Sequence, residues 1–234
     1  MPNELLLILA LICTYSAVII AFRIFGEQGL YLWTIIATIA ANIEVLMVVT
    51  AFGMEMTLGN ILFASTFLVT DIASELYGKK KAQRAVYLGI ATSIIFILIS
   101  QSWMLYTPNE SDFATPSIRA IFSNTPRLML ASVIVYVIVQ LFDVWLYHKW
   151  WDFTKKKFGD SDRFLWLRNN GSTLFSQLLN TLLYTFGAFL GMYSIPTLIS
   201  IAISSYVIFI VTSLADTPFV YLARKIYKQH HAAD

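Results

Sequence analysis

The apolar residues of this chain come in runs of about 17–25, the length an α-helix needs to cross a bilayer. Seven such runs can be drawn, at about 5–22, 30–52, 60–77, 83–105, 127–147, 172–191 and 197–222. Hydrocarbon offers the backbone no hydrogen-bond partners, so a run of this kind must satisfy its own N–H and C=O groups, and a helix does so within one segment. The composition agrees: 58% of the 234 residues are hydrophobic and 13% charged, against roughly 25% charged in ordinary soluble domains. The reading is an all-α polytopic membrane protein, one integral membrane domain over 1–234 built as a six- or seven-helix transmembrane bundle. Span one is the segment that could stand outside a six-helix core.

The basic residues give the chain a direction. Arg23, Lys79, Lys80, Lys81, Arg84, Lys149, Lys155, Lys156, Lys157, Arg163, Arg168, Arg224, Lys225 and Lys228 all follow spans one, three, five or seven, and only Arg119 and Arg127 lie in the opposite loops. Fourteen of sixteen basic residues thus fall on one side, which the positive-inside rule makes cytoplasmic. The N-terminus is then outside and the C-terminus in the cytoplasm. The outer segment from Thr107 to Pro126 reads as a surface loop or lid. The inner one from His148 to Asn170, rich in Trp and Lys, reads as a loop along the headgroups.

Several classes of function find no support. The single cysteine, Cys13, allows no internal disulfide and no Cys-x-x-Cys metal site. The N-terminal run has neither the basic start nor the small-residue cleavage site of a secretory signal. No His-Glu-x-x-His, phosphate-cradling glycine loop or intramembrane serine motif occurs. The short basic loops are too limited for nucleic acid. The expectation is therefore no catalytic residues, no metal and no cofactor.

Polar residues inside the spans are few, and each is costly enough in a membrane to be a functional hypothesis. Asn42 and Glu44 fall near the middle of span two. Asp71 and Glu75, four apart and on one helical face, end span three, where Glu75 can pair with Lys79. Asp143 lies on span five one turn after Gln140, and Asp216 on span seven. Asp71, Asp143 and Asp216 are spaced 72 and 73 residues apart, each near the inner end of an inward-running helix. Asp71 and Asp143 could pair with Lys79, Arg84, Lys149 or Arg168 and serve assembly. Along span six, Thr173, Gln177, Asn180 and Thr181 share a face, next to Ser172 and Ser176. Trp145, Trp166 and Tyr184 offer flat surfaces. Amides and carboxylates with few fixed cations suit a neutral planar ligand with donors and acceptors on its edge. Helix–helix glue is the bland alternative for every one of them.

The stretch Thr70-Asp71-(x)3-Glu75-x-Tyr77-Gly78-Lys79-Lys80, followed by Ala82 and Arg84, resembles the vitamin-uptake-type family of bacterial queuosine-precursor transporters. So do Asp143-Val144-Trp145 and the run Leu165-Trp166-Leu167-Arg168-Asn169-Asn170-Gly171-Ser172-Thr173, which leads into Ser176-Gln177 and Asn180-Thr181. The resemblance covers roughly residues 30–220 and keeps the order of the three motifs. It implies an inner-membrane carrier for 7-deazaguanines such as preQ0 or preQ1, salvaged for tRNA modification. It also implies a six-helix core like that of the substrate-binding subunits of energy-coupling-factor transporters, working without a coupling partner. The residues carried over are Asp71, Glu75, Asp143, Ser172, Thr173 and Gln177. Position 180 departs, with Asn180 where relatives commonly have an acid. The expected substrate contacts are Asn42, Glu44, Asp71, Glu75, Asp143, Trp145, Thr173, Gln177 and Asn180. A substrate-binding subunit of a multi-component vitamin or nucleobase transporter is the alternative, a structural membrane protein a third reading, and a homo-oligomer is left open.

Overall fold

The computed structural model describes residues 2–122, 126–159, 163–191 and 193–231, with the side chains of residues 126–129 and 230–231 outside the description. Among the described residues there are eight helices and one β-hairpin: α1 (Asn3–Phe25), α2 (Glu27–Glu44), β1 (Val48–Ala51), β2 (Met54–Thr57), α3 (Gly59–Tyr77), α4 (Lys79–Trp103), α5 (Thr115–Phe122), α6 (Pro126–Phe158), α7 (Leu165–Phe189) and α8 (Ile195–His231). Four helical segments among the described residues are long and apolar enough to cross a membrane: Asn3–Phe25, Lys79–Trp103, Leu130–Phe158 and Ile195–Gln229. Their outward faces carry rows of exposed Leu, Ile and Val, such as Ile8 and Ile12, Ile95 and Leu98, and Ile199 and Ile203. A surface of this kind suits lipid, not water. By contrast α2, α3 and α7 carry the polar side chains, and α3 and α7 are the most deeply enclosed.

Turns at the two ends are set by residues that tolerate unusual backbone. Gly26 (φ 56°) ends α1, its N–H bonded to the Phe22 carbonyl at 2.8 Å, and Gly78 (φ 82°) separates α3 from α4. With no Cβ, glycine enters this left-handed region freely. These turns, with the lysines after Gly78, mark one end of the bundle, here termed the basic end. The opposite, hairpin end holds β1 and β2, paired antiparallel from Val48↔Thr57 to Ala51↔Met54.

That hairpin corrects the expected span two, which was drawn to residue 52. The helix stops at Glu44, because Val48, Val49 and Thr50 are β-branched and fit a pleated strand better than a helix. Phe52 (φ 52°) and Gly53 (φ 72°) then supply the two positive φ angles that a tight type I′ turn needs. The inner segment from His148 to Asn170 is likewise corrected. α6 continues to Phe158 and α7 starts at Leu165, with Phe158 stacked on Phe164 at 4.6 Å. Residues 160–162 and 123–125, within the two expected loops, lie outside the description.

The packed core sits in the basic half. Tyr15, Val18 and Phe22 of α1 meet Leu30 of α2, Leu68 and Ile72 of α3, Ala85 and Val86 of α4, Val144 of α6 and Val220 of α8. Span one is therefore part of the core: Tyr15 is fully buried, donates to the Thr212 carbonyl at 3.1 Å and meets Phe219 edge-on. Its N-terminus also reaches the hairpin, where Asn3 donates to the Thr50 carbonyl and Glu4 accepts from the Phe52 N–H. Towards the hairpin end the helices spread, and a cavity opens.

Candidate functional site

Between α2, α3, α4, α6, α7 and α8, in the hairpin half of the bundle, lies a cavity with about 920 Å³ of empty space including its open mouth. Its walls combine amides (Asn42, Asn60, Asn180), hydroxyls (Thr38, Thr66, Thr181) and rings (Phe63, Tyr136, Tyr184, Phe209). None of the described lining residues carries a charge.

Each wall has a local cause. Gly59 lets α3 approach α2 so closely that a Cβ there would lie 2.9 Å from the Ala41 carbonyl oxygen, next to Asn42 and Asn60 on the lining. Gly89 of α4 makes room for Tyr136, whose hydroxyl would stand 2.2 Å from an added Cβ. Phe63 meets Tyr136 and Phe209 ring to ring at 6.2 and 6.1 Å. The Thr38 and Tyr136 hydroxyls face each other across this lining, while Asn60 Nδ2 and Thr181 Oγ1 are buried without a partner. Buried polar groups are nearly always satisfied in folded proteins, so these two atoms mark the cavity as a place that receives hydrogen-bonding groups from elsewhere.

Below the cavity, toward the basic end, a second polar layer fills the bundle. Thr66, on the lining, accepts from Gln140 Nε2 at 2.6 Å, and Thr70 donates to Gln140 Oε1 at 3.4 Å. On α7, Asn180 donates to Gln177 Oε1 at 3.3 Å, and one turn lower Thr173 donates to Asp71 at 3.0 Å. Asp143 is buried beside the hydroxyls of Ser172 and Ser176, and Asn169 donates to Asp216 at 2.7 Å. Deeper still, Arg168 pairs with Glu75 at 2.6 Å while its guanidinium lies 4.2 Å from the centre of the Trp151 ring. Tyr147 donates to the same carboxylate at 2.7 Å, and Arg224 stands 3.7 Å from it.

These positions sort the expected contacts. Asn42 and Asn180 line the cavity; Thr181 and Tyr184, also noted from the sequence, do so too. Gln177, Thr173, Asp71 and Asp143 lie in the layer beneath, and Glu44 is half-buried beyond the lining at the end of α2. Glu75 does not form the exposed pair with Lys79; its side chain is 3% exposed and held by Arg168. Trp145 faces outward, 44% exposed, stacked on Phe142 with Lys149 over its ring. Two residues after Asp143, it is turned about 200° around the helix, since each residue turns about 100°. Trp166 is similarly exposed. The aromatic walls the sequence did not suggest, Phe63, Tyr136 and Phe209, sit in apolar runs where nothing separates a lining ring from a packing ring.

Among the described residues no group of His, Cys, Asp or Glu is placed to hold a metal ion. No solved structure matches the chain. Over 212 residues, 91% of this chain and 90% of the relative, it is 36% identical to a protein of Bacillus subtilis (strain 168) named "Probable queuosine precursor transporter". Over 160 residues, 68% of the chain and 67% of the relative, it is 24% identical to the "Queuosine precursor transporter" of Escherichia coli (strain K12). The family described as "Putative vitamin uptake transporter" matches residues 57–223, which take in the cavity's α3, α4, α6, α7 and α8. A helical membrane bundle around an uncharged cavity is what a carrier of small polar molecules requires, and the chain belongs to the vitamin uptake transporter family, whose members are transporters and not enzymes.

Proposed function

We propose that this chain carries queuosine precursors, 7-deazaguanine bases such as preQ0 or preQ1, inward across the bacterial cytoplasmic membrane for salvage into tRNA. The observation that carries the reading is the uncharged cavity, with amides, hydroxyls and rings on its wall and Asn60 Nδ2 and Thr181 Oγ1 unpartnered there. A deazaguanine is flat, neutral and edged with donors and acceptors. It would lie between the rings of Phe63, Tyr136 and Tyr184, with its edge toward Asn42, Asn60, Asn180 and Thr181. Gln177 and Thr173 continue this polar face below the base. The names of the two relatives support the substrate class.

In this reading the chain is one transport domain of seven crossings, α5 being the helix that does not cross, and its bundle is of the kind found in substrate-binding subunits of energy-coupling-factor transporters. The basic end faces the cytoplasm and the cavity opens outward, as the placement of Lys and Arg favours. No coupling partner is required. The test is salvage in a bacterium that lacks both queuosine synthesis and its own carrier. Expressing this chain and supplying preQ0 or preQ1 at low concentration is expected to restore queuosine in tRNA. Unmodified tRNA, with the protein confirmed in the membrane, would overturn the reading.

A further inference from the structure

Three carboxylates are enclosed in the layer beneath the cavity: Asp71 on α3, Asp143 on α6 and Asp216 on α8, each 0–1% exposed. They are close enough to act on one another electrostatically. Charge of one sign gathered at low dielectric repels strongly, and an ionised carboxylate out of water must be compensated. The surroundings supply little compensation. Thr173 donates to one oxygen of Asp71, and Asn169 and the Thr217 hydroxyl serve Asp216. Asp71 Oδ1 and Asn169 Oδ1 have no donor. Asp143 has only the hydroxyls of Ser172 and Ser176 beside it, and both are shared with carbonyls of their own helix, at 3.1 and 2.8 Å.

The other titratable and charged groups facing the cluster are committed elsewhere. Glu75 holds Arg168, accepts from Tyr147 and lies 3.7 Å from Arg224. Tyr15 of α1 donates to the Thr212 carbonyl. What the cluster lacks is hydrogens to place between acceptor oxygens, and a proton is the smallest ligand that supplies one.

Two polar lines join the cluster to the cavity. One descends α7 from Asn180 to Gln177, whose Nε2 is buried without a partner, then to Thr173 and Asp71. The other runs from the cavity-lining Thr66 through Gln140 to Thr70, next to Asp71. Polar side chains of α3, α6 and α7 thus lie between a group bound in the cavity and a proton bound at the aspartates. We propose that Asp71, Asp143 and Asp216 form a proton-binding site that couples inward movement of the substrate to inward movement of a proton. The inference rests on the transport reading above. The step is proton transfer alone: an O–H bond forms on an aspartate oxygen with a proton from water at the hairpin end. It breaks when that proton leaves to water at the basic end.

The test uses the full chain, purified and reconstituted in liposomes, with preQ1 or preQ0 as probe. Counterflow at equal pH on both sides establishes carriage by itself. An acid-outside gradient is then imposed. One proton per substrate predicts about tenfold more accumulation for each pH unit, and Asp143→Asn is expected to bring the ratio of gradient-driven uptake to counterflow down to one. Counterflow with no response to the gradient, a response retained by Asp71→Asn, Asp143→Asn and Asp216→Asn alike, or a response to a sodium gradient in its place would overturn the proposal. Absence of counterflow counts against the transport reading and not against the proton site. The site is read separately from the infrared carbonyl band of a protonated carboxylic acid in wild-type protein near neutral pH. Loss of that band in Asp143→Asn or Asp216→Asn supports it, and no such band in wild type overturns it.

Discussion

Asn180 and Thr181 stand side by side on α7, and only one of them has its hydrogen-bonding group engaged in the protein: Asn180 donates to Gln177, while Thr181 Oγ1 has no partner. Thr181→Val keeps the shape and removes the orphan. It is expected to leave the unfolding temperature unchanged or slightly raised. Affinity for a 7-deazaguanine should fall by about 1 kcal/mol, roughly fivefold, as measured by equilibrium binding beside a thermal scan. Glu75→Gln has the opposite profile, because it leaves the Arg168 guanidinium enclosed beside a neutral amide. Removing one partner of a buried pair costs about 3–5 kcal/mol, so a large drop in unfolding temperature is expected. The polar face of Thr173, Gln177, Asn180 and Thr181 was legible because helical periodicity alone puts those positions together. Glu75 and Arg168 are 93 residues apart, and no local pattern joins them. A nearby lysine one turn away was the obvious but wrong partner.

At the scale of elements, the hairpin is the part that apolar run lengths could not reveal, since Val48 to Ala51 extend span two without a break in hydropathy. Only Phe52-Gly53 signalled a turn, and Phe is an unusual residue at positive φ. Phe52→Asn supplies the residue that type I′ turns favour before glycine. It should slow amide exchange in β1 and β2 by about 1 kcal/mol of added protection. α5 depends on Asp112, which accepts from the N–H groups of Ala114 and Thr115 and from the Thr115 hydroxyl. Those bonds, the hydroxyl's foremost, hold the Asp112 carboxyl below its usual 3.8. A group with a lowered folded-state pKa stabilises above the unfolded value and stops doing so as pH falls through the folded one. The protection of α5 amides, taken relative to the intrinsic exchange rate at each pH, is thus expected to fall below pH about 3.8 and to lose that dependence in Asp112→Asn, whose amide oxygen still accepts but does not titrate. α5 itself lies back against α4, with Phe122 meeting Phe96 and Trp103. None of the described residues between α4 and α6 lines the cavity, so of the two readings, surface loop or lid, the described part fits the first.

For the whole molecule, the division of labour between a packed basic half and a hollow hairpin half follows from where the polar residues fall on α2, α3 and α7. The helices that fall short as independent apolar spans, α2, α3 and α7, are those that carry the cavity's three amides, which is why run length outlined the bundle better than its interior. The proposed orientation has a direct check. In a Cys13→Ser background, Glu55→Cys on the exposed hairpin should react with a membrane-impermeant maleimide added to intact cells, and Lys156→Cys should not until the membrane is opened. The reverse pattern would turn the molecule over. Asn3 and Glu4, the first two residues of α1, are hydrogen-bonded to the backbone of β1 and of the Phe52 turn, on the hairpin whose Thr57 lines the cavity. For anyone building a reporter on this protein, the two chain ends are thus not equivalent handles. A bulky fusion at residue 1 would strain the latch that holds the rim, whereas one placed beyond α8 hangs from the far end of the bundle and leaves the entrance as it is.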